Sequence, residues 1–252
     1  MINALRSEWI KLRSVRMNLV LCIIAVALPL LVSILTSALV NSNDLDTESL
    51  AGTITATSVI TALLLGVIGV VSIGGEFSHG TIRPTFAATP RRSRVLIAKG
   101  IITAGAALLV EGAVVVLAYG VSSAIASSRG ASISLADDPE ARNGLIGIVV
   151  FAVIVSLLGF ALGLLIRNMP SAIAVLILWP LLIESIIGGL LSAAGVEHAF
   201  KWLPFQAGVQ LGNPDNSSGG DALARVPAGL YFAAVTLVVA VIGASFTNRR
   251  DA

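Results

Sequence analysis

Residues 75–99, GEFSHGTIRPTFAATPRRSRVLIAK, form a long, strongly basic interruption between two membrane-length apolar runs. The stretch holds five cations, Arg83, Arg91, Arg92, Arg94 and Lys99, against one anion, Glu76. Lys and Arg are biased toward loops that are not translocated, so the segment reads as cytoplasmic. Its local signals are dense. Gly80-Thr81 breaks the helix that carries Glu76, Pro84 suits the first turn of a new short helix, and Pro90 ends it. The expected form is a short cytosolic helix with a basic flank, held between two spans and shaped to press on a partner.

The whole chain fits that reading. Of its 252 residues, 56% are hydrophobic and only 12% charged, and the mean hydropathy is +0.94. Soluble domains carry about 25% charged residues, so this chain has too little polar surface to cover a water-soluble globule. A net charge of +2 would hint at nucleic acid in a soluble protein, but here topology explains the basic residues. The single cysteine, Cys22, lies in an apolar run and permits no intrachain disulfide. No cleavable signal peptide is expected, because the first apolar run is too long and no small-residue cleavage site follows it.

Working outward, residues 1–16 read as a basic amphipathic helix. Ile2, Leu5, Trp9 and Leu12 share a face, while Arg6, Lys11, Arg13 and Arg16 hold the other. Such a helix lies in the membrane interface; the alternative is an ordinary positive-inside flank. Six continuous apolar runs follow, at about Met17–Val40, Thr53–Gly75, Gly100–Ala124, Asn143–Ile166, Ser171–Ala194 and Val226–Thr247. Each approaches the ~20 residues needed to cross the hydrocarbon as a helix. The fold class is therefore all-α with six transmembrane helices in one domain. The ends alternate in charge: twelve of the 16 cations fall on one side, and the other side holds nine of the acids. Both termini are expected to be cytoplasmic. Residues 195–225 begin apolar and aromatic (Phe200, Trp202, Phe205) and turn polar at NPDNSSGGD. That stretch is expected at the outer interface, or dipping into it.

The order Glu76, Gly80-Thr81-Ile82-Arg83, Pro90, Ser93-Arg94 and then Lys99 entering a span, between the second and third of six spans, resembles the permeases of the ABC-2 type transporter family. The resemblance covers essentially the whole chain. The SEWIKLRS stretch from Ser7 to Ser14 is similar to the N-terminal connecting helix of those permeases. The resemblance implies a coupling helix docked on a separate ATPase subunit, with Glu76, Gly80, Thr81, Arg83, Pro90, Arg91, Arg92, Arg94 and Lys99 serving that contact. It further implies a homodimer or a heterodimer with a second permease, re-entrant helices between the last two spans, and outward transport in the cell membrane. ATP and magnesium would reside on the partner.

Two acids lie inside spans, Glu111 in the third and Glu184 in the fifth. A charge at the bilayer centre costs about 2.5–3.5 kcal/mol on insertion scales, so each must be neutral, paired or facing a wet cavity. They read either as lining groups of a transport path, with Glu184 a hinge contact beside Pro180, or as carboxyls bonded to neighbouring helices. Gly159-x-x-x-Gly163 permits a close helix approach and reads as packing. His79 and His198 fall on opposite sides and cannot share a metal. No G-x-x-x-x-G-K-[ST] occurs, so any ATPase must be another polypeptide, and no nucleophile–base pair suggests an enzyme. Three functions compete: a transport subunit, a secondary transporter or channel using Glu111 and Glu184, and a membrane anchor. An apolar interior points to a hydrophobic or amphipathic cargo.

Overall fold

The computed structural model describes residues 2–41, 44–78, 92–214 and 222–250. Among the described residues the regular secondary structure is all helical, without a strand. Helix α1 spans Ile2–Ser14, α2 Arg16–Leu39, α3 Thr47–Ser78 and α4 Arg92–Ser128; α5 spans Pro139–Ile166 and α6 Met169–Leu178. A π-turn at Trp179–Ile183 leads into α7, Glu184–Ala193. The short helix α8, Pro204–Val209, lies between 3₁₀ turns at Ala199–Trp202 and Gln210–Gly212, and α9 spans Arg225–Arg250. Six of these segments, with α6 and α7 counted as one, are long and apolar enough to cross a membrane. The chain is a helical multi-pass membrane protein.

The helices outrun the hydropathy signal. The expected Thr53–Gly75 span becomes 32 residues and the expected Gly100–Ala124 span 37. At 1.5 Å per residue these are roughly 48 and 55 Å long, against a hydrocarbon core of about 30 Å, so both project into polar surroundings. Local capping sets these ends. Asp46 accepts from Ser49 N at 2.8 Å while its own N–H donates to Ser49 Oγ at 3.1 Å, a reciprocal cap that starts α3 six residues early. Asp138 accepts from Ala141 N at 2.9 Å with Pro139 behind it, and this starts α5. Arg129 donates to the Ser37 and Val40 carbonyls at 2.6 and 2.7 Å, satisfying the C-terminal end of α2.

Helices α3 and α5 form the centre. In α3, 67% of the apolar window is buried; in α2 the figure is 17%, so α2 presents most of its surface outward. Leu65, Ile68 and Val70 of α3 pack with Phe151, Ala152 and Val155 of α5. Glycine makes the approach possible: a Cβ at Gly159 would lie 2.0 Å from the Gly66 carbonyl oxygen, and one at Gly69 would lie 2.1 Å from that of Ser156. Here the Gly159/Gly163 pair meets the backbone of α3 directly. Pro29 within α2 cannot donate to the Ala25 carbonyl, and Thr61 Oγ1 of α3 does so instead at 2.9 Å.

Two ends of the bundle can be told apart by charge. The basic end carries α1, the start of α4 and the end of α9. The acidic end carries Asp46, Asp138, Glu140 and the segment between α7 and α9.

Candidate functional site

At the basic end α1 turns back at Val15, an extended residue (φ −80°, ψ 112°), and lays one face on the bundle. Periodicity placed Trp9 on that face; the structure instead buries Glu8 (7% exposed) and leaves Trp9 at 36% and Ile10 at 58%. Glu8 meets Lys99, which is only 2% exposed. Lys99 Nζ donates to Glu8 Oε2, to Glu76 Oε1 at 2.9 Å and to the Ser72 carbonyl at 3.3 Å, so all three of its protons are spent. Lys11 Nζ donates to Glu8 Oε1 at 3.0 Å and to Glu76 Oε1 at 2.9 Å. Burial, the largest influence on Lys11, favours its neutral form. The hydrogen bonds and attraction of Glu76 and Glu8 together outweigh that and raise its pKa above the usual 10.5.

Two acids and two lysines thus join α1 to the end of α3 and the beginning of α4. Sequence reasoning grouped Glu76 with Lys99 but missed Glu8 and Lys11 as their partners. The signal was one acid in an otherwise basic helix. Of the other residues expected to contact an ATPase, Arg94 is exposed in the first turn of α4. Arg92 opens α4, but its side chain lies outside the described residues, as do Gly80, Thr81, Arg83, Pro90, Arg91 and the expected short helix within 78–88. His79 also falls there. Among the described residues no cluster of His, Cys, Asp or Glu suits a metal ion.

The acidic end holds the second constellation. The chain after α7 turns inward: Phe205 stacks edge-on to Phe151 with ring centroids 5.2 Å apart and to Phe232 at 6.0 Å. Phe151 lies twelve residues inside α5 and Phe232 seven inside α9, which places α8 roughly 10–18 Å below the helix ends. A Cβ at Gly147 would lie 1.6 Å from the Leu211 carbonyl oxygen, so α5 gives way to the insertion there. Glu184, fully buried, holds this insertion from the fifth span. Its Oε1 accepts from Phe205 N at 2.9 Å and Trp179 Nε1 at 3.0 Å, and its Oε2 accepts from Gln206 N at 3.0 Å. It therefore caps α8, whose own N-cap residue Leu203 supplies no side-chain bond. Pro180 lies in the π-turn, where the Glu184 N–H bonds back five residues to the Trp179 carbonyl. The helix continues through this π-turn, so Met169–Ala193 forms one span. At the exit, Arg225 pairs with Glu140 at 3.1 Å and donates to the Asn213 carbonyl at 2.7 Å.

Glu111 has no comparable role. It is fully buried in α4 and faces the Ser58 hydroxyl of α3, its one polar neighbour among the described residues. The structure does not bring Glu111 and Glu184 together as a pair: one faces α3, the other caps α8. Comparison with protein-family models and with curated proteins finds no match for this sequence.

Proposed function

We propose that this chain is the membrane-spanning subunit of an ATP-driven exporter of the ABC-2 type. It would sit in the cell membrane with both termini cytoplasmic and work as a homodimer, or as a heterodimer with a second permease. A separate ATPase would dock on the basic segment between α3 and α4, holding ATP and magnesium. The observation that carries the reading is the ion cluster of Glu8, Lys11, Glu76 and Lys99. It braces both helices flanking that segment and α1 into one unit, so a push at the segment moves two spans together. The arginines suit acidic patches on a soluble partner, where guanidinium bonds carboxylate in bidentate fashion. Lys99, spent internally, acts as a brace in this reading and leaves the contact itself to the arginines. ATP closure would shift the spans between two populated arrangements. The π-turn at Trp179–Ile183 supplies a hinge for the fifth span. The cargo is a hydrophobic or amphipathic compound.

The test is copurification with the ATPase, joined to ATPase and transport assays in reconstituted membranes. Charge reversal at Arg91, Arg92 and Arg94 should weaken association, and added salt should weaken the wild-type complex. Substitution at Gly80 and Thr81 should leave the complex assembled but uncouple hydrolysis from transport. Tags at Met1, Arg92 and Ala252 should read cytoplasmic, and those at Asp46, Asp137 and Asn216 external. Normal coupling in both sets of variants sinks the proposal.

A second reading, a proton-coupled transporter or channel, draws support from Glu111, a fully buried carboxyl with only the Ser58 hydroxyl beside it. Glu184 supports it less, because its carboxyl is occupied by three donors. This reading expects pH-dependent flux without any ATPase, lost in Glu111→Gln. Flux unchanged in that variant removes it.

A further inference from the structure

Helix α1 presents three different faces. Glu8 and Leu12 point into the bundle, and Lys11 and Ser14 flank them on the side of Glu76. The other flank carries Arg6, Trp9, Ile10 and Arg13, all exposed and within about 100° of one another around the helix. Beneath Trp9 and Arg13 lies a crevice of about 230 Å³ between α1, α2, α3 and α4. Arg13 is the one charged residue in its lining, which is otherwise mainly apolar and includes Cys22, Leu65, Ala106 and Val110. Its α4 wall runs from Thr103 to Val110, roughly 10 Å at 1.5 Å per residue. Leu109 in that wall is 63% exposed, so the crevice joins the outward apolar surface of the span.

Charge and surface together select the occupant. The acids beside α1, Glu8 and Glu76, are held by Lys11 and Lys99. Arg6 and Arg13 make no ion pair among the described residues, and residues 79–91 contain no acid. A negative group from outside is what this flank lacks, and guanidinium pairs with phosphate in bidentate fashion. A free anion would leave Trp9, Ile10 and the crevice in water. An acidic protein could meet the arginines but not fill a crevice that runs along a span. A lipid does both, with its phosphate at the guanidinium and its chain among the apolar side chains. A zwitterionic head brings a cation that two unneutralised arginines repel, and a net negative head does not.

We propose that the Arg6–Arg13 flank of α1 and the crevice beneath it seat one anionic phospholipid. Arg13 donates to its phosphate, and Arg6, two turns away on the same flank, adds attraction. Trp9 lies at headgroup level, where its amphipathic ring is suited to the interface. One acyl chain follows α4 from Thr103 toward Val110. The site uses neither the segment assigned to the ATPase nor the ion cluster, so it stands apart from the transport reading.

The experiment places the full chain in phosphatidylcholine nanodiscs with a trace of lipid that bears a diazirine in its acyl chain, and maps the photolabelled peptides by mass spectrometry. Two probes are compared, one a phosphatidylglycerol and the other a phosphatidylcholine with the same chains. The phosphatidylglycerol probe should label residues 9–13, 22 and 103–110 at least about tenfold more than the phosphatidylcholine probe, as expected of two arginines. Arg13→Gln should lower that labelling about fivefold, and Arg13→Lys, which keeps the charge, should retain most of it. Cys22→Phe, which fills the crevice without touching the arginines, should abolish it. Melting temperatures confirm that the variants fold. Equal labelling by the two probes, labelling spread over the outward faces of α2 and α9, or wild-type labelling in both Arg13→Gln and Cys22→Phe overturns the proposal. Displacement of the probe by inorganic phosphate at the same concentration also overturns it, because the site would then take a free anion.

Discussion

Replacing Glu184 by Gln isolates what its carboxyl does. Two oxygens serve three N–H donors in the wild-type chain, those of Trp179, Phe205 and Gln206. Gln keeps the shape but offers one acceptor oxygen and a donor group in place of the other. With that oxygen turned toward Trp179 and Phe205, the Gln206 N–H faces an NH₂ and loses its bond. A buried donor left unpaired costs about 1–3 kcal/mol, and taking ~2 kcal/mol the opening equilibrium of α8 should shift by roughly thirtyfold. Hydrogen exchange reads this directly, because local opening governs amide exchange. Peptides covering residues 203–209 should exchange about thirtyfold faster in Glu184→Gln, and faster still in Glu184→Leu, which leaves all three donors unpaired. Peptides from the middle of α5 should not change. Exchange within threefold of wild type over 203–209 would refute the idea that a carboxyl in the fifth span holds the insertion.

Further outcomes follow from the same geometry. Gly159→Ala puts a methyl group against the Gly66 carbonyl and should cost about 1–3 kcal/mol or more, lowering the melting temperature by size-exclusion thermal assay; Gly105→Ala, with nothing within 4 Å, should leave it unchanged. Lys99→Met leaves Glu8 and Glu76 with Lys11 as their one shared cation and should destabilise by about 3 kcal/mol, partly restored by adding Glu8→Gln in a double-mutant cycle, whereas half-exposed Lys11→Met should cost under about 1 kcal/mol. Because the Lys11 pKa is raised, its tie should be fully present below about pH 10.5 and loosen above it. Asp46→Ala should fray the first turn of α3 by about 1 kcal/mol. The Ser49 backbone and hydroxyl bonds hold the Asp46 pKa below its ordinary 3.8, so wild-type fraying should begin only as pH falls below that value, read by exchange over residues 47–52.

Six spans were legible because a membrane helix must be a continuous apolar run, and no tertiary contact is needed to recognise one. Their ends were not, because Asp46 and Ser49 or Asp138 and Pro139 extend a helix through polar residues that hydropathy counts as loop. Pro180 was read as the neighbour of a hinge contact at Glu184, but the π-turn that holds it depends on backbone geometry that no residue type encodes. The buried acid at Glu184 was visible; its partners were not, since two of the three are backbone N–H groups, which every non-proline residue carries. Lys99 was read as part of the contact with an ATPase, and its tie to Glu8, 91 residues away, has no local pattern that links the two.

The glycine contact between α3 and α5 also bears on how the protein is made. Gly66 and Gly159 are separated by about ninety residues of chain, which a ribosome adds in some 5–20 s at 5–20 residues per second. During that interval α3 is already threaded into the bilayer while the helix that covers it does not yet exist. Its groove of small residues, with Gly66 and Gly69 at the bottom, must meanwhile face lipid, the insertion machinery or the already synthesised α2. The central pair is thus assembled by waiting: α2 arrives early and covers one flank, and the other stays vacant until α5 has been synthesised. A substitution that thickens this groove would therefore act first on biogenesis, leaving a nascent chain exposed to membrane quality control before any stability of the finished protein could be measured.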